Sequence, residues 1–148
     1  MSQVSGHALH HPGDISIRSA NTNDLQAIAA FDPFRGDRSG EVEAGRVLVA
    51  ETDGRVVGYT TFSRNGFIGR AFVNFLAVSS DHRRRGVASA LLRAVEQRIA
   101  PGRLFISTEE INTPMLQLLS RGGWTAAGCV QGVNDNGAAE CFFYRDLT

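Results

Sequence analysis

Ala71 to Val78 is an almost unbroken apolar run, and the way the chain leaves it constrains the whole fold. Eight such residues suit a strand buried at the centre of a sheet. A polar break, Ser79-Ser80-Asp81-His82, leads into Arg83-Arg84-Arg85-Gly86. From about Val87 to Ala100 the apolar positions Val87, Leu91, Ala94, Val95 and Ile99 recur at helical spacing, and Pro101-Gly102 stops that helix. The chain therefore passes from strand to helix through a glycine turn. The first turn of a helix exposes unpaired N–H groups and the positive end of the macrodipole, a combination that binds phosphate. Gly86 lets backbone approach a ligand closely and Ala88 keeps the next position small. Arg83, Arg84 and Arg85 add charge suited to phosphate. A lone arginine triplet reads as a solvated helix start; strand, turn, small residues and amphipathic helix together favour an anion site.

The remaining pattern builds an α/β sandwich around this unit. Ile15 to Arg18 alternates as a short strand. Thr22 reads as an N-cap, with Asp24 in the first turn and Leu25, Ile28 and Ala29 on one helical face, and Asp32-Pro33 ends that helix. Residues 34–45 form a loop or a short second helix. Arg46 to Glu51 and Val56 to Ser63 are β-rich runs joined through Asp53-Gly54, a strong hairpin signal, and Asn65-Gly66 marks a further turn. Leu104 to Thr108 is a fifth strand. Pro114 suits the first turn of a helix capped by Asn112 or Thr113, with Met115, Leu116, Leu118 and Leu119 on its buried side and Gly122-Gly123 closing it. Ala126 to Gln131 and Glu140 to Arg145 are a last pair of strands around residues 134–137. The order is β-α-(α)-β-β-β-α-β-α-β-β on a mixed sheet.

At 148 residues this is one domain, expected over residues 15–148 behind a loose tail, 1–14. His7, His10 and His11 in that tail read as composition rather than a metal site. Fifteen basic and fifteen acidic residues leave a formal net charge of zero, which argues against a nucleic-acid partner. The N-terminus has no apolar signal region, and no apolar run approaches the ~20 residues of a membrane span. Cys129 and Cys141 read as reduced thiols of a cytoplasmic protein, neither of them a nucleophile.

The motif Arg83-x-x-Gly86-x-Ala88, preceded by Leu76-Ala77-Val78, resembles the acyl-CoA signature Arg/Gln-x-x-Gly-x-Gly/Ala of the GNAT superfamily of N-acyltransferases. The resemblance extends from about Ile15 to Leu147: Ile17-Arg18 with Thr22-Asn23-Asp24-Leu25, then Val57-Gly58-Tyr59, then Asn112 and Arg121-Gly122-Gly123-Trp124. It implies the GNAT fold, an α/β (α+β) arrangement with a central mixed, mostly antiparallel sheet of six to seven strands flanked by about four helices. It implies acetyl-CoA as co-substrate, with no metal. Arg83 would lie in the cofactor site, and the backbone of Leu76, Ala77 and Val78 would pair with the pantetheine arm. The N–H groups from Arg84 through Arg85, Gly86, Val87 and Ala88 to Ser89 would hold the pyrophosphate, and Asn112 would bond the pantetheine while also serving as an N-cap.

Acyl transfer to an amine needs a neutral nucleophile and a polarised thioester carbonyl. An amine of pKa ~10.4 is ~3.4 units from neutral at pH 7, roughly 4.6 kcal/mol, so a base or water chain is useful. On the strand from Leu104, Phe105, Ser107 and Glu109 share a face. Ser107 matches the position where the family often has a Glu; Glu109 or Glu110 is the candidate base or else a solvated carboxylate. Asn74 either orients a water or is a buried, satisfied amide. By the resemblance, the Tyr that commonly protonates the leaving thiolate is replaced by Leu119. Since a thiol of pKa ~8.5 lies only ~1.5 units above pH 7, its loss matters by roughly 2 kcal/mol; Ser120, Tyr144 or water are the substitutes. Glu41 and Glu43 fall where the family shapes its acceptor pocket. Trp124 reads as core, and of Phe142 and Phe143 one faces the core and the other a neighbour or dimer partner. The leading expectation is an N-acetyltransferase for a primary amine of a small-molecule, amino-acid or peptide-like acceptor. The alternatives are a catalytically weak acyl-CoA-binding module and an aminoacyl-tRNA-acetylating toxin, the latter disfavoured by charge. No membrane partner is expected, and a homodimer is left open.

Overall fold

The computed structural model describes residues 13–148, so most of the expected tail, with His7, His10 and His11, lies outside the described residues. Seven strands form one sheet: β1 (Ser16–Ser19), β2 (Val47–Thr52), β3 (Arg55–Phe67), β4 (Arg70–Val78), β5 (Gly102–Glu109), β6 (Thr125–Val130) and β7 (Glu140–Leu147), in the spatial order β1-β2-β3-β4-β5-β7-β6. Every neighbouring pair is antiparallel except β4 and β5. Parallel neighbours need a crossover. Helix α3 (Val87–Ile99) supplies it, joining α1 (Leu25–Ala29), α2 (Ser39–Glu43) and α4 (Thr113–Arg121) as the fourth helix.

Strand alternation divides the apolar residues into two cores. Val73, Leu104 and Ile106 face α3 and α4, packing with Val87, Leu91, Val95, Ile99, Leu119 and Trp124. On the other face Val47, Val49, Tyr59 and Ala77 pack against Ile28 of α1 and Val42 of α2. All five apolar positions expected on the long helix are buried, and so is Trp124. Phe143 packs against the first core.

Three expectations are corrected. Asn65-Gly66 is not the turn: β3 runs through it to Phe67, and the chain reverses at Ile68-Gly69, both with positive φ, 51° and 76°. The N-cap of the first helical segment is Asn21, not Thr22. Its side chain accepts from the Asn23 N–H, and Asp24 returns a bond to the Asn21 N–H at 2.8 Å, preceding a single 3-10 turn, Thr22–Asp24. The Arg18 guanidinium grips Asp24 through two 2.8 Å bonds, and that pairing holds the carboxyl below its ordinary pKa. Finally, Cys129 and Cys141 are not reduced thiols. They stand directly opposite each other in the β6/β7 register and form a disulfide, so cysteine usage no longer argues for a reducing compartment.

One irregularity positions the site. The parallel pairing of β4 with β5 extends only from Ala71↔Leu104 to Val73↔Ile106. Beyond it, β4 pairs with β3 alone and β5 with β7 alone, so the carboxyl ends of the two strands diverge. The pairs Phe62↔Val73 and Thr61↔Phe75 leave Asn74 as an extra, bulged residue where the separation begins. Crevices at the carboxyl ends of strands are where open α/β sheets bind ligands.

Candidate active site

The upper end of β4 leads directly to the arginine turn. The Ser79 N–H donates to the Val57 carbonyl at 2.8 Å, which pins the exit of the strand. Arg84 and Gly86 both have positive φ, 62° and 83°, and Gly86 is the N-cap of α3. A non-glycine residue in that region is strained, a condition that collects at binding sites. No side chain caps α3, and its first backbone bond runs from the Ala90 N–H to the Gly86 carbonyl at 3.0 Å. The N–H groups of Val87, Ala88 and Ser89 therefore precede the helical ladder. A Cβ placed on Gly86 would meet nothing within 4 Å, so this turn opens outward.

Arg83, Arg84 and Arg85 are exposed, and among the described residues none forms an ion pair. Arg83 Nε donates to the Val78 carbonyl at 3.4 Å. Beneath the turn, Val87 is buried against Gly58, where an added Cβ would lie 2.8 Å from Val87 Cγ1. The absence of a side chain at Gly58 thus sets how closely the start of α3 approaches the sheet. Uncapped amides, an outward glycine turn and unpaired guanidinium groups suit the diphosphate of coenzyme A.

Asn112 does cap α4, accepting from the Met115 N–H at 3.3 Å. Leu119 is fully buried in the first core, so the position offers an apolar side chain and no proton donor. Ser120, beside it, is exposed. Tyr144 lies on the opposite sheet face, its ring 5.7 Å from Phe105 and covered by the Arg103 guanidinium at 4.1 Å. The hydroxyls considered as substitutes for the missing Tyr are thus turned in different directions.

Across the opening, Glu109 accepts from Asn136 Nδ2 at 3.3 and 3.5 Å. Its cross-strand partner Glu140, which the sequence did not single out, accepts from Ser107 Oγ at 2.8 Å and Asn134 Nδ2 at 3.1 Å. Glu110 is exposed and bonds the Ala139 N–H at 3.1 Å, which ties it to the hairpin. Asn74 is exposed rather than buried, so the reading of it as a satisfied core amide is set aside.

The segment between α1 and α2 is held by a buried polar group absent from the sequence reading. Arg38 is 3% exposed, lies over the Phe75 ring at 4.2 Å, and pairs with Asp32 and Glu41, each at 3.4 Å. Asp32 also accepts from the Tyr59 hydroxyl at 2.6 Å. Burial, then the bond to Asp32, pushes the Tyr59 hydroxyl far above its ordinary pKa, so it remains a donor at any physiological pH. Glu41 thus has a structural partner, while Glu43 is exposed. The available signal was Tyr59 inside an apolar strand, since a buried Tyr hydroxyl needs a partner.

A sheet split between its parallel strands, with an uncapped helix start at the mouth, is an arrangement suited to an acyl-CoA-dependent acyltransferase. Residues 16–124 match the family model described as Acetyltransferase (GNAT) family. The chain belongs to the GNAT acetyltransferase family and is an N-acyltransferase. Among solved structures it is similar to a GNAT-family acetyltransferase of Bacillus cereus, at 27% identity and a TM-score of 0.82 over 91% of this chain and 99% of that one. A Salmonella typhimurium protein described as an acetyltransferase, with its cofactor acetyl-CoA, matches at 19% identity and a TM-score of 0.74 over 91% and 95%. The ribosomal-protein-S18-alanine N-acetyltransferase of Escherichia coli matches at 16% identity and 0.70, also over 91% and 95%. No curated protein matches by sequence. Among the described residues no helix is long and apolar enough to cross a membrane.

Proposed function

We propose that this chain transfers the acetyl group of acetyl-CoA directly to a primary amine within a ternary complex, using the β4/β5 opening as the meeting point. Acetyl-CoA supplies the activated thioester. The unpaired edge of Leu76 to Val78 offers peptide groups to the pantetheine amides. The N–H groups at the start of α3, with Arg83, Arg84 and Arg85, neutralise the diphosphate, and Asn112 borders the pantetheine arm from α4. Asn74 projects from the bulge where the strands separate and orients the amine or a water. Glu109, held by Asn136, accepts the proton as the amine attacks. The observation that carries this reading is the end of parallel pairing at Val73↔Ile106, just below an uncapped helix start.

The full burial of Leu119 supports a second reading, a coenzyme A-binding module with little turnover, because the thiolate finds no acid there. Calorimetry with coenzyme A and thiol release across an amine panel separate the two. Binding with amine-dependent thiol release supports the transferase; binding with thiol release no faster than hydrolysis supports the module. Gly86→Asp sets a carboxylate against the phosphates. It should abolish coenzyme A binding while the fold survives by circular dichroism, and unchanged affinity would refute the cradle.

A further inference from the structure

The sheet face opposite α3 and α4 carries aromatic rings that belong to neither core. Phe67 lies 5.5 Å from Phe72, 5.2 Å from Phe105 and 5.0 Å from Phe142, nearly parallel to the last at 16°, and Phe105 meets Tyr144 at 5.7 Å. All are partly exposed and absent from both apolar clusters. Alternation explains the face: Leu104, Ile106 and Phe143 point to α3 and α4, so Phe105 and Phe142 point away. The cluster formed by α1 and α2 on this face reaches Tyr59 and Ala77 but none of these rings.

Phe67 arrives there by a detour. Between the pairs Ser63↔Phe72 and Phe67↔Arg70, Arg64, Asn65 and Gly66 face only Ala71 on β4. The excess chain arches over the sheet: a Cβ on Gly66 would collide with Ser63 Oγ and lie 3.8 Å from Asn74 Nδ2. Phe67 is thereby laid across the rings below, beside the β4/β5 opening.

Charge selects the occupant of this shelf. One step further along the same face, beyond Phe142 on β7 and Ser107 on β5, stand Glu140 and Glu109, directly opposite each other. Like charges in that position repel. Their hydrogen-bond donors are Ser107, Asn134 and Asn136, all neutral, and among the described residues neither carboxylate pairs with an arginine or histidine. An aromatic shelf therefore ends at an uncompensated pair of carboxylates. Two residues along a strand span roughly 7 Å, close to the reach from an aryl ring across two or three carbons to an ammonium group.

Building on the transferase reading above, we infer that the acceptor is an arylalkylamine, its ring against the outer face of Phe67 and its ammonium beside Glu109 and Glu140. The deciding experiment titrates phenethylamine and n-hexylamine into the chain saturated with coenzyme A, followed by calorimetry or saturation-transfer NMR. Phenethylamine should bind about tenfold more tightly, the scale of an aromatic stack plus its buried area. Phe67→Ala should bring the ratio near one with coenzyme A affinity unchanged. Glu140→Gln should weaken both amines while keeping the ratio, which covers the case in which Phe67→Ala folds poorly. Equal affinities, a preference that survives Phe67→Ala, or no binding of either amine to the coenzyme A-loaded chain would each overturn the assignment and leave the acyl-CoA reading standing. A dimer that becomes monomeric in Phe67→Ala, without amine preference, would give the shelf to a second copy of the chain. Failure to bind coenzyme A itself would defeat the transferase reading, a result distinct from all of these.

Discussion

Two residues without side chains do different work at the arginine turn. Gly86 needs its left-handed conformation, φ 83°, and faces open space. Gly58 needs only to be small, because Val87 Cγ1, Leu91 Cδ1 and the Ala77 carbonyl would lie 2.8, 3.2 and 3.3 Å from any Cβ there. Val87 is β-branched and fully packed, so it yields poorly. Gly58→Ala should therefore push the start of α3 off the sheet, lowering stability by ~1–3 kcal/mol in urea titration. Because Val87 is also the first residue of the helix start, coenzyme A affinity should fall in the same variant. A variant with the native urea midpoint and native affinity would show that the helix tolerates the displacement. At this scale the turn itself was legible in the sequence, since Gly86 and the apolar spacing that begins at Val87 are local signals of a helix start. The role of Gly58 was not, because it depends on a contact between β3 and α3.

Elements with a continuous pattern were equally legible. The apolar spacing of Val87 to Ile99 and the run from Ala71 to Val78 placed α3 and β4 to within a residue or so. Three features depended on contacts distant in sequence and escaped. The Asn65-Gly66 pair has turn chemistry, yet β3 continues because Phe67 finds a stack of rings beyond it. The Asp32, Arg38 and Tyr59 group forms only once the residues between α1 and α2 fold over β3. The disulfide joins β6 to β7, elements whose register no local pattern specifies. Strand β6 is exposed throughout and pairs on one side only, so the crosslink fastens one of the two outer strands of the sheet. Closing a loop of 12 residues is worth about 3 kcal/mol in the chain-entropy account. Reductant, or the double substitution of Cys129 and Cys141 by serine, should then lower the melting temperature by roughly 6–12 °C. Identical melting curves with and without reductant would mean that β6 is held by its hydrogen bonds alone.

Across the whole molecule, zero net charge conceals a local imbalance. Arg83, Arg84 and Arg85 gather at one helix start, while Glu109 and Glu140 stand together at the carboxyl ends of β5 and the start of β7. On the proposed function these are the two ends of one path, with phosphates drawn to the first and a cationic amine to the second. A ligand that binds only the folded chain stabilises it in proportion to the logarithm of its concentration over Kd. At a hundredfold excess over Kd, coenzyme A should add about 2.7 kcal/mol, raising the melting temperature by roughly 5–10 °C. Two sources of that stabilisation respond differently to salt. The exposed arginines are screened as ionic strength rises from about 0.05 to about 0.5 M, whereas amide hydrogen bonds at the start of α3 are shielded far less. The shift at a fixed coenzyme A concentration should therefore shrink with salt and level off above zero, and Gly86→Asp should remove it at every salt concentration. A shift that vanishes entirely in high salt would assign the affinity to the arginines alone and leave the helix start without the role argued for it.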